Sequence, residues 1–355
     1  RKMIVGVGVF GIVALAGWAG QGGLGFASDQ LREEQGAGSS ALVAGRAQQL
    51  PADPDAFVSR DSVRILSELR ALSHDSLLGR RPGEPGSLMA RELILAAFRE
   101  TGLREPPQGF VQPFRFSSRR DTTQLFEGAN VVGWIEGTDP GAGAIVLTAH
   151  FDHVGVRRPR NPPPAGSPVD SIYNGADDNA SGTAAVLSLA RYFVQHPARH
   201  TLVFAAVDAE ESGLRGSRAF VENEWPETIV LNVNLDMISR SDSLLFAVGT
   251  YHYPQLKPVL EGVERRGPVV LAFGHDQPGV EGMQDWTRSS DHAPFHARGI
   301  PFVYFGVEDH PDVHRPGDEF EKIDPDFYLN AVRTVLASVL AMDAQIGGGG
   351  PGAAG

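Results

Sequence analysis

Apolar residues recur along this chain in two rhythms. Val63-Arg64-Ile65-Leu66-Ser67-Glu68-Leu69-Arg70-Ala71-Leu72 spaces its apolar positions as a helix does, and Leu88 to Leu103 repeats that spacing. Strands are predicted over Gly109 to Phe116 and Ala129 to Ile135. Ala144 to Ala149 is almost wholly apolar, as a strand covered on both faces is. Beyond it the periods alternate. A helix over Gly182 to Gln195 puts Val186, Leu189, Ala190, Phe193 and Val194 on one face, and a strand follows over Leu202 to Val207. A helix over Leu214 to Glu222 leads to a strand over Ile229 to Leu235, then a helix over Leu256 to Arg265 to a strand over Val269 to Phe273. Ile300 to Phe305 is a further strand and Phe327 to Ile346 the closing helix. This alternation predicts an α/β fold, a mixed, mostly parallel central sheet with helices on both faces.

The ends read differently. Arg1 and Lys2 precede an apolar run from Met3 to Ala16, and no further charge appears until Asp29. A basic start, an apolar middle and small residues near Ala19 or Ala27 predict a signal peptide over 1–27. The competing expectation is an uncleaved anchor in the membrane, since about 20 apolar residues span a bilayer. Either way the chain is expected to be exported, to a periplasm or beyond; N-terminal sequencing of exported material separates the two. Residues 28–56 are polar and rich in Ala, Gly and Gln, and read as a linker. Gly79 to Gly86 is a Gly/Pro/Arg turn region, and 347–355 is a Gly/Pro/Ala tail expected to be disordered. One large domain is left, over 57–346.

Composition narrows the partners. Of 355 residues, 43 are acidic and 31 basic, a formal charge of −12, which disfavours nucleic acid and anionic membrane surfaces. There is no Cys, so disulfides, thiol catalysis and Cys-ligated zinc are excluded.

The chemistry sits at the predicted strand ends. His150 and Asp152 follow the strand that ends at Ala149, Glu210 and Glu211 follow the strand that ends at Val207, and Asp236 ends its own. Ligands in open α/β sheets bind beyond the carboxyl ends of strands, so these positions share a rim. Asp177 and Asp178 lie in a Gly-rich loop before a helix that can reach the same rim. Each segment alone has an ordinary explanation: acids suit helix starts, and Asp and Asn suit turns. Together they supply imidazoles, carboxylates and one spare carboxylate, the set a hydrolytic metal site needs. Asp152 is placed to orient the His150 ring. Of the adjacent acids, one can bind metal while its neighbour serves as a base.

Six ordered segments carry a resemblance. They are Thr148-Ala149-His150-Phe151-Asp152-His153-Val154-Gly155, Tyr173-Asn174-Gly175-Ala176-Asp177-Asp178-Asn179-Ala180-Ser181-Gly182, Glu210-Glu211-Ser212-Gly213-Leu214-Arg215-Gly216-Ser217, Asn234-Leu235-Asp236-Met237, Ser290-Asp291-His292-Ala293-Pro294-Phe295 and His314. The chain from Leu66 to Met342 resembles the co-catalytic di-zinc aminopeptidases, the secreted leucyl-aminopeptidase-type and glutamate-carboxypeptidase-like zinc peptidases. The resemblance implies a zinc-exopeptidase α/β sandwich and two Zn2+ per chain, with other divalent ions as substitutes. It implies Asp178 as the carboxylate shared by both metals, with His150 and Asp236 completing one site and Glu211 and His314 the other. Glu210 matches the general base and Asp152 the orienting acid. Asp291 and His292 match residues that support the substrate site without binding metal.

The implied activity is hydrolysis of the N-terminal peptide bond of peptides with a free amine. Two alternatives stay open, a carboxypeptidase or other amide hydrolase on the same metals, and a non-enzymatic ectodomain, which would be expected to lose ligands. The pattern departs from the family in two places; in the first, some members carry a Tyr shortly before Ser-Asp-His, and here the nearest aromatic is Trp286. Phe116 to Ala144, the second, holds no long insertion, and the adjacent Asp and Glu pairs resemble the two-metal branch rather than the single-zinc cyclases.

Overall fold

The computed structural model describes residues 52–117, 123–139, 141–159, 164 and 169–347. The segment expected to direct export, most of the expected linker, part of the Pro-rich stretch after Arg157 and all but the first residue of the tail lie outside them.

Ten strands and seven α-helices follow one another among the described residues. Helices α1 (Pro54–Leu72) and α2 (Pro85–Thr101) lead into β1 (Val111–Ser117), β2 (Leu125–Ile135) and β3 (Ala144–His150). Short strands β4 (Gly155–Val156) and β5 (Ile172–Tyr173) pair with each other, and α3 (Gly182–Gln195), β6 (Thr201–Val207), α4 (Arg215–Glu222), β7 (Ile229–Leu235) and β8 (Leu244–Val248) come next. Then come α5 (Lys257–Glu261), β9 (Val270–Phe273), α6 (Ala293–His296), β10 (Phe302–Gly306) and α7 (Pro325–Gln345). Eight strands form one sheet in the order β1-β2-β6-β3-β7-β10-β8-β9. Its centre, β6-β3-β7-β10, is parallel throughout; β1, β2 and β8 are joined by antiparallel pairings, and β9 runs parallel to β8.

Both faces of this sheet are buried. Ile145, Leu147 and Ala149 of β3 join Leu202, Phe204 and Ala206 of β6 in the larger core, under α1, α2, α3 and α7. The alternate residues Ala144, Val146, Val203, Ala205 and Val207 pack on Phe220, Val221 and Phe295 of α4 and α6. The two-residue period of a strand sends neighbours to opposite faces, so an unbroken apolar run is what a doubly covered sheet requires. The Val, Leu, Ile and Phe side chains among them each contribute about 1.5–3 kcal/mol on leaving water. The last helix, α7, is long and apolar enough to cross a membrane, but 67% of its apolar 18-residue stretch is buried in this core. Val332, Val335, Leu336 and Val339 are fully covered there.

Some boundaries differ from those expected. The first helix begins at Pro54 rather than Val63, so its first turn replaces the end of the expected linker. Asp53 caps it by accepting from the Ala56 N–H, proline suits its first turn, and Phe57 is buried edge-on against Tyr192. Helix α5 stops at Glu261 instead of Arg265, with Gly262 as its cap. Strand β8 was not anticipated; it joins the sheet between β10 and β9.

Candidate metal centre

The four parallel strands at the centre all point their carboxyl ends at one rim. His150 is the last residue of β3, Glu210 and Glu211 lie in the turn after β6, Asp236 follows β7, and His314 lies in the loop after β10. Asp178 comes from the buried turn Ala176–Ser181 that opens α3. Gly175 makes that turn feasible: its φ is +54°, and a Cβ there would sit 2.0 Å from the Asp178 carbonyl oxygen and 2.6 Å from the His153 ring.

Two clusters share Asp178. His150 Nε2 lies 3.3 Å from Asp178 Oδ1 and 3.2 Å from Asp236 Oδ1. His314 Nε2 lies 3.1 Å from Asp178 Oδ2 and 3.0 Å from Glu211 Oε1. Donor atoms about 2.0–2.1 Å from a tetrahedral zinc stand about 3.3 Å apart, so these spacings fit a metal on each side of the Asp178 carboxylate. The donor set fits as well, since nitrogen and oxygen ligands are those zinc takes. Asp152, Asp178, Glu210, Glu211, Asp236 and Asp291 gather here beside His150, His153 and the half-exposed His314, a concentration of negative charge that calls for cations.

Supporting contacts hold each donor. His150 Nδ1 lies 3.2 Å from the main-chain oxygen of Asp152 and 3.7 Å from its carboxylate, which leaves Nε2 for the metal. The Asp152 carboxylate accepts the N–H of Glu210 at 2.9 Å and that of Glu211 at 3.4 Å, so it orients the acidic pair too. Ser290 donates to Asp236 Oδ2 at 2.6 Å; Asn234 donates to Ser290, and Thr148 to Asn234. The Ser-Asp-His segment therefore reaches the cluster through its serine, which holds Asp236. Asp291 is buried beside Ser217, and burial, opposed by the His150 charge and the Ser217 hydroxyl and reinforced by Asp236 and Asp152, pushes it up to about 7. His292 stays behind the cluster, stacked on Phe302 and Tyr304 with Nε2 2.9 Å from the Trp286 carbonyl. Burial holds it down at about 3, so it is neutral.

Sequence reasoning passed over several residues. Tyr304 of β10 is buried, and its hydroxyl donates to the Asp236 carbonyl at 3.4 Å; it brings a phenol to the cluster from a strand instead of from the loop before Ser-Asp-His. His153 is fully buried, with Nδ1 2.8 Å from Glu211 Oε1. Asp318 accepts the N–H groups of both Asp177 and Asp178 and so fixes the turn that carries the shared carboxylate. Arg80, without exposed surface, donates to the carbonyls of Leu72, Phe151, Asn174 and Gly175, tying the His150 and Asp178 segments together. Of these only His153, three residues past His150, had a visible signal.

Residues 130–339 match the peptidase family M28. The chain belongs to that family. Among curated relatives it is 34% identical over 185 residues to a vacuolar membrane protease of Schizosaccharomyces japonicus, an alignment covering 49% of this chain and 20% of that protein. The matched stretch spans a fifth or less of the length of this and two other vacuolar membrane proteases among the curated relatives. Its fold is shared with an aminopeptidase from an Aneurinibacillus strain (TM-score 0.63, 17% identity, 81% of this chain and 95% of that one). It is shared too with a zinc aminopeptidase from Bacillus subtilis (TM-score 0.60, 18% identity, 78% and 94%).

Protonation gives a test of the donors. Hydrogen bonds to Asp178 and Glu211 raise the His314 imidazole to about 11 in the metal-free protein. His150 is lowered by burial, but Asp236, Asp152 and Asp178 outweigh this and raise it well above its ordinary value. An imidazole held in its protonated form this way would have to give up that proton to bind a metal, because only the neutral ring offers a lone pair. Zinc uptake at pH 7 is expected to release protons, and affinity to rise with pH. Calorimetry in buffers of different ionisation enthalpy reads the release; uptake without it would remove both histidines from the ligand set.

Proposed function

We propose that this M28 peptidase is an aminopeptidase that holds two zinc ions, His150, Asp178 and Asp236 at one and Asp178, Glu211 and His314 at the other, with Glu210 as general base. One observation supports this most directly. Glu211 reaches the second cluster while the adjacent Glu210, its N–H fixed by Asp152, has a carboxylate with no hydrogen-bond partner among the described residues. A carboxylate held at the cluster but not spent on a ligand contact is free to move protons.

Zinc bound there lowers the pKa of water and polarises the scissile carbonyl. Glu210 accepts a proton from the attacking water and returns it to the leaving amine. Burial raises Glu210 well above its ordinary value, the His150 charge opposes this, and Asp291, Glu211 and Asp236 add to it. A base raised this way also acts as the acid for the second transfer. The surplus of carboxylates favours an ammonium, so the free α-amine of the substrate is drawn to the Asp178, Glu211 and Asp236 side.

Unblocked amino-acid anilides with apolar first residues should be cut, and their N-acetyl forms cut roughly 10⁴-fold more slowly, because a site built around a polar group rejects analogues lacking it. Equal rates on acetylated and free substrates would remove the aminopeptidase reading while leaving the metal centre intact.

A further inference from the structure

A cavity of 250 Å³ opens beside the carboxylate cluster, and its charge is opposite. Arg157, Tyr173, His314 and Arg315 line it. The Arg157 guanidinium lies over the Tyr173 ring, 4.6 Å from its centre. Arg315 follows the proposed ligand His314 directly, and its N–H is held by the Asp312 carbonyl. The Asp312 carboxylate is already taken, by Arg240 at 2.8 Å and Lys322 at 2.9 Å. Among the described residues neither guanidinium has a carboxylate at ion-pairing distance. In a chain of net charge −12, two uncompensated arginines on one small cavity are unexpected as surface chemistry.

We propose that this cavity binds a carboxylate on the leaving-group side of the scissile bond, so that the preferred substrates are very short peptides or peptides with an acidic second residue. The proposal rests on the aminopeptidase reading and adds the other end of the substrate to it. Guanidinium forks match carboxylates geometrically, and stacking on an aromatic ring is an arrangement that suits Arg. His314 belongs to both the metal cluster and the cavity wall, so the two adjoin within one side chain. A dipeptide places its carboxylate at most about 7 Å from its amine when extended. A zwitterion of that length meets carboxylates at one end and arginines at the other.

Hydrolysis of Leu-Gly, Leu-Gly-amide and Leu-Asp-amide by the zinc-loaded protein tests this. Leu-Gly is expected to exceed Leu-Gly-amide in kcat/KM by about 10- to 100-fold, the range for a hydrogen bond between charged groups. Arg315→Ala should bring that ratio toward one, mainly through KM, and Arg315→Lys should restore part of it. Leu-Asp-amide cut as well as Leu-Gly assigns the cavity to acidic side chains as well as the free C-terminus; Leu-Asp-amide cut as poorly as Leu-Gly-amide assigns it to the C-terminus alone. If Arg315→Ala loses zinc, Arg157→Ala, just beyond β4 and seven residues past the proposed ligand His150, carries the same test. Equal rates on Leu-Gly and Leu-Gly-amide, or a ratio that survives in the Arg157→Ala/Arg315→Ala double variant, overturns the proposal with the function untouched. Cleavage of N-acetyl-Leu-Gly in place of free Leu-Gly would instead defeat the aminopeptidase reading.

Discussion

Glu210→Gln is expected to lower kcat by about 10²–10⁴-fold, the usual contribution of a positioned acid–base group, while zinc content stays at the wild-type level. The substitution keeps the size of the side chain and removes only its ability to take a proton. Glu210 lies beside His150, Glu211, Asp236 and Asp291 without belonging to either donor cluster, so metal binding has no reason to change. The pH profile carries a second sign. A general base works in its ionised form, so activity falls as pH drops through its pKa, and burial has raised that pKa above the ordinary carboxylate value. The residual activity of the variant should lack this acid limb. Near-normal turnover with zinc bound would assign the proton to another group, and Asp291, held at about 7, is the next carboxylate to substitute.

The parts of this site that were legible in the sequence share a physical cause. His150, the Glu210-Glu211 pair and Asp236 stand where apolar strands stop, so the run of buried residues before each one marks its place on the rim. The alternation of strand and helix that predicts a doubly covered sheet appears in β3 and β6, whose successive residues enter two different cores. Other contributions leave no such mark. Asp318 works by accepting backbone N–H groups about 140 positions away, and a side chain bonded to distant backbone has no period. Arg80 looks like part of a Gly/Pro/Arg turn until its guanidinium is seen among four carbonyls. Tyr304 reads as one more aromatic in a core strand; only the position of its hydroxyl, against the Asp236 carbonyl, sets it apart. The start of α1 depends on a cap and a proline, signals that act on one turn and are lost in a polar stretch.

Removal of the Asp178 carboxylate should have the largest effect of any single change at this centre. Both clusters use it, Oδ1 toward His150 and Oδ2 toward His314. Its ionised form is already favoured: burial works against the charge, but His153, His150 and His314 outweigh that and hold the acid well below its usual range. Asp178→Ala removes one of the three proposed donors from each side, where a catalytic zinc site needs three protein ligands. Elemental analysis of the wild-type protein is expected to give about two zinc equivalents, of His314→Ala about one, and of Asp178→Ala well under one, with activity lost in proportion. The comparison separates a shared ligand from an ordinary one, since an ordinary ligand costs the metal on its own side only. Two equivalents retained in Asp178→Ala would show that the clusters are independent. One equivalent in the fully active wild type would reduce the centre to a single zinc and leave Asp178 serving one side alone.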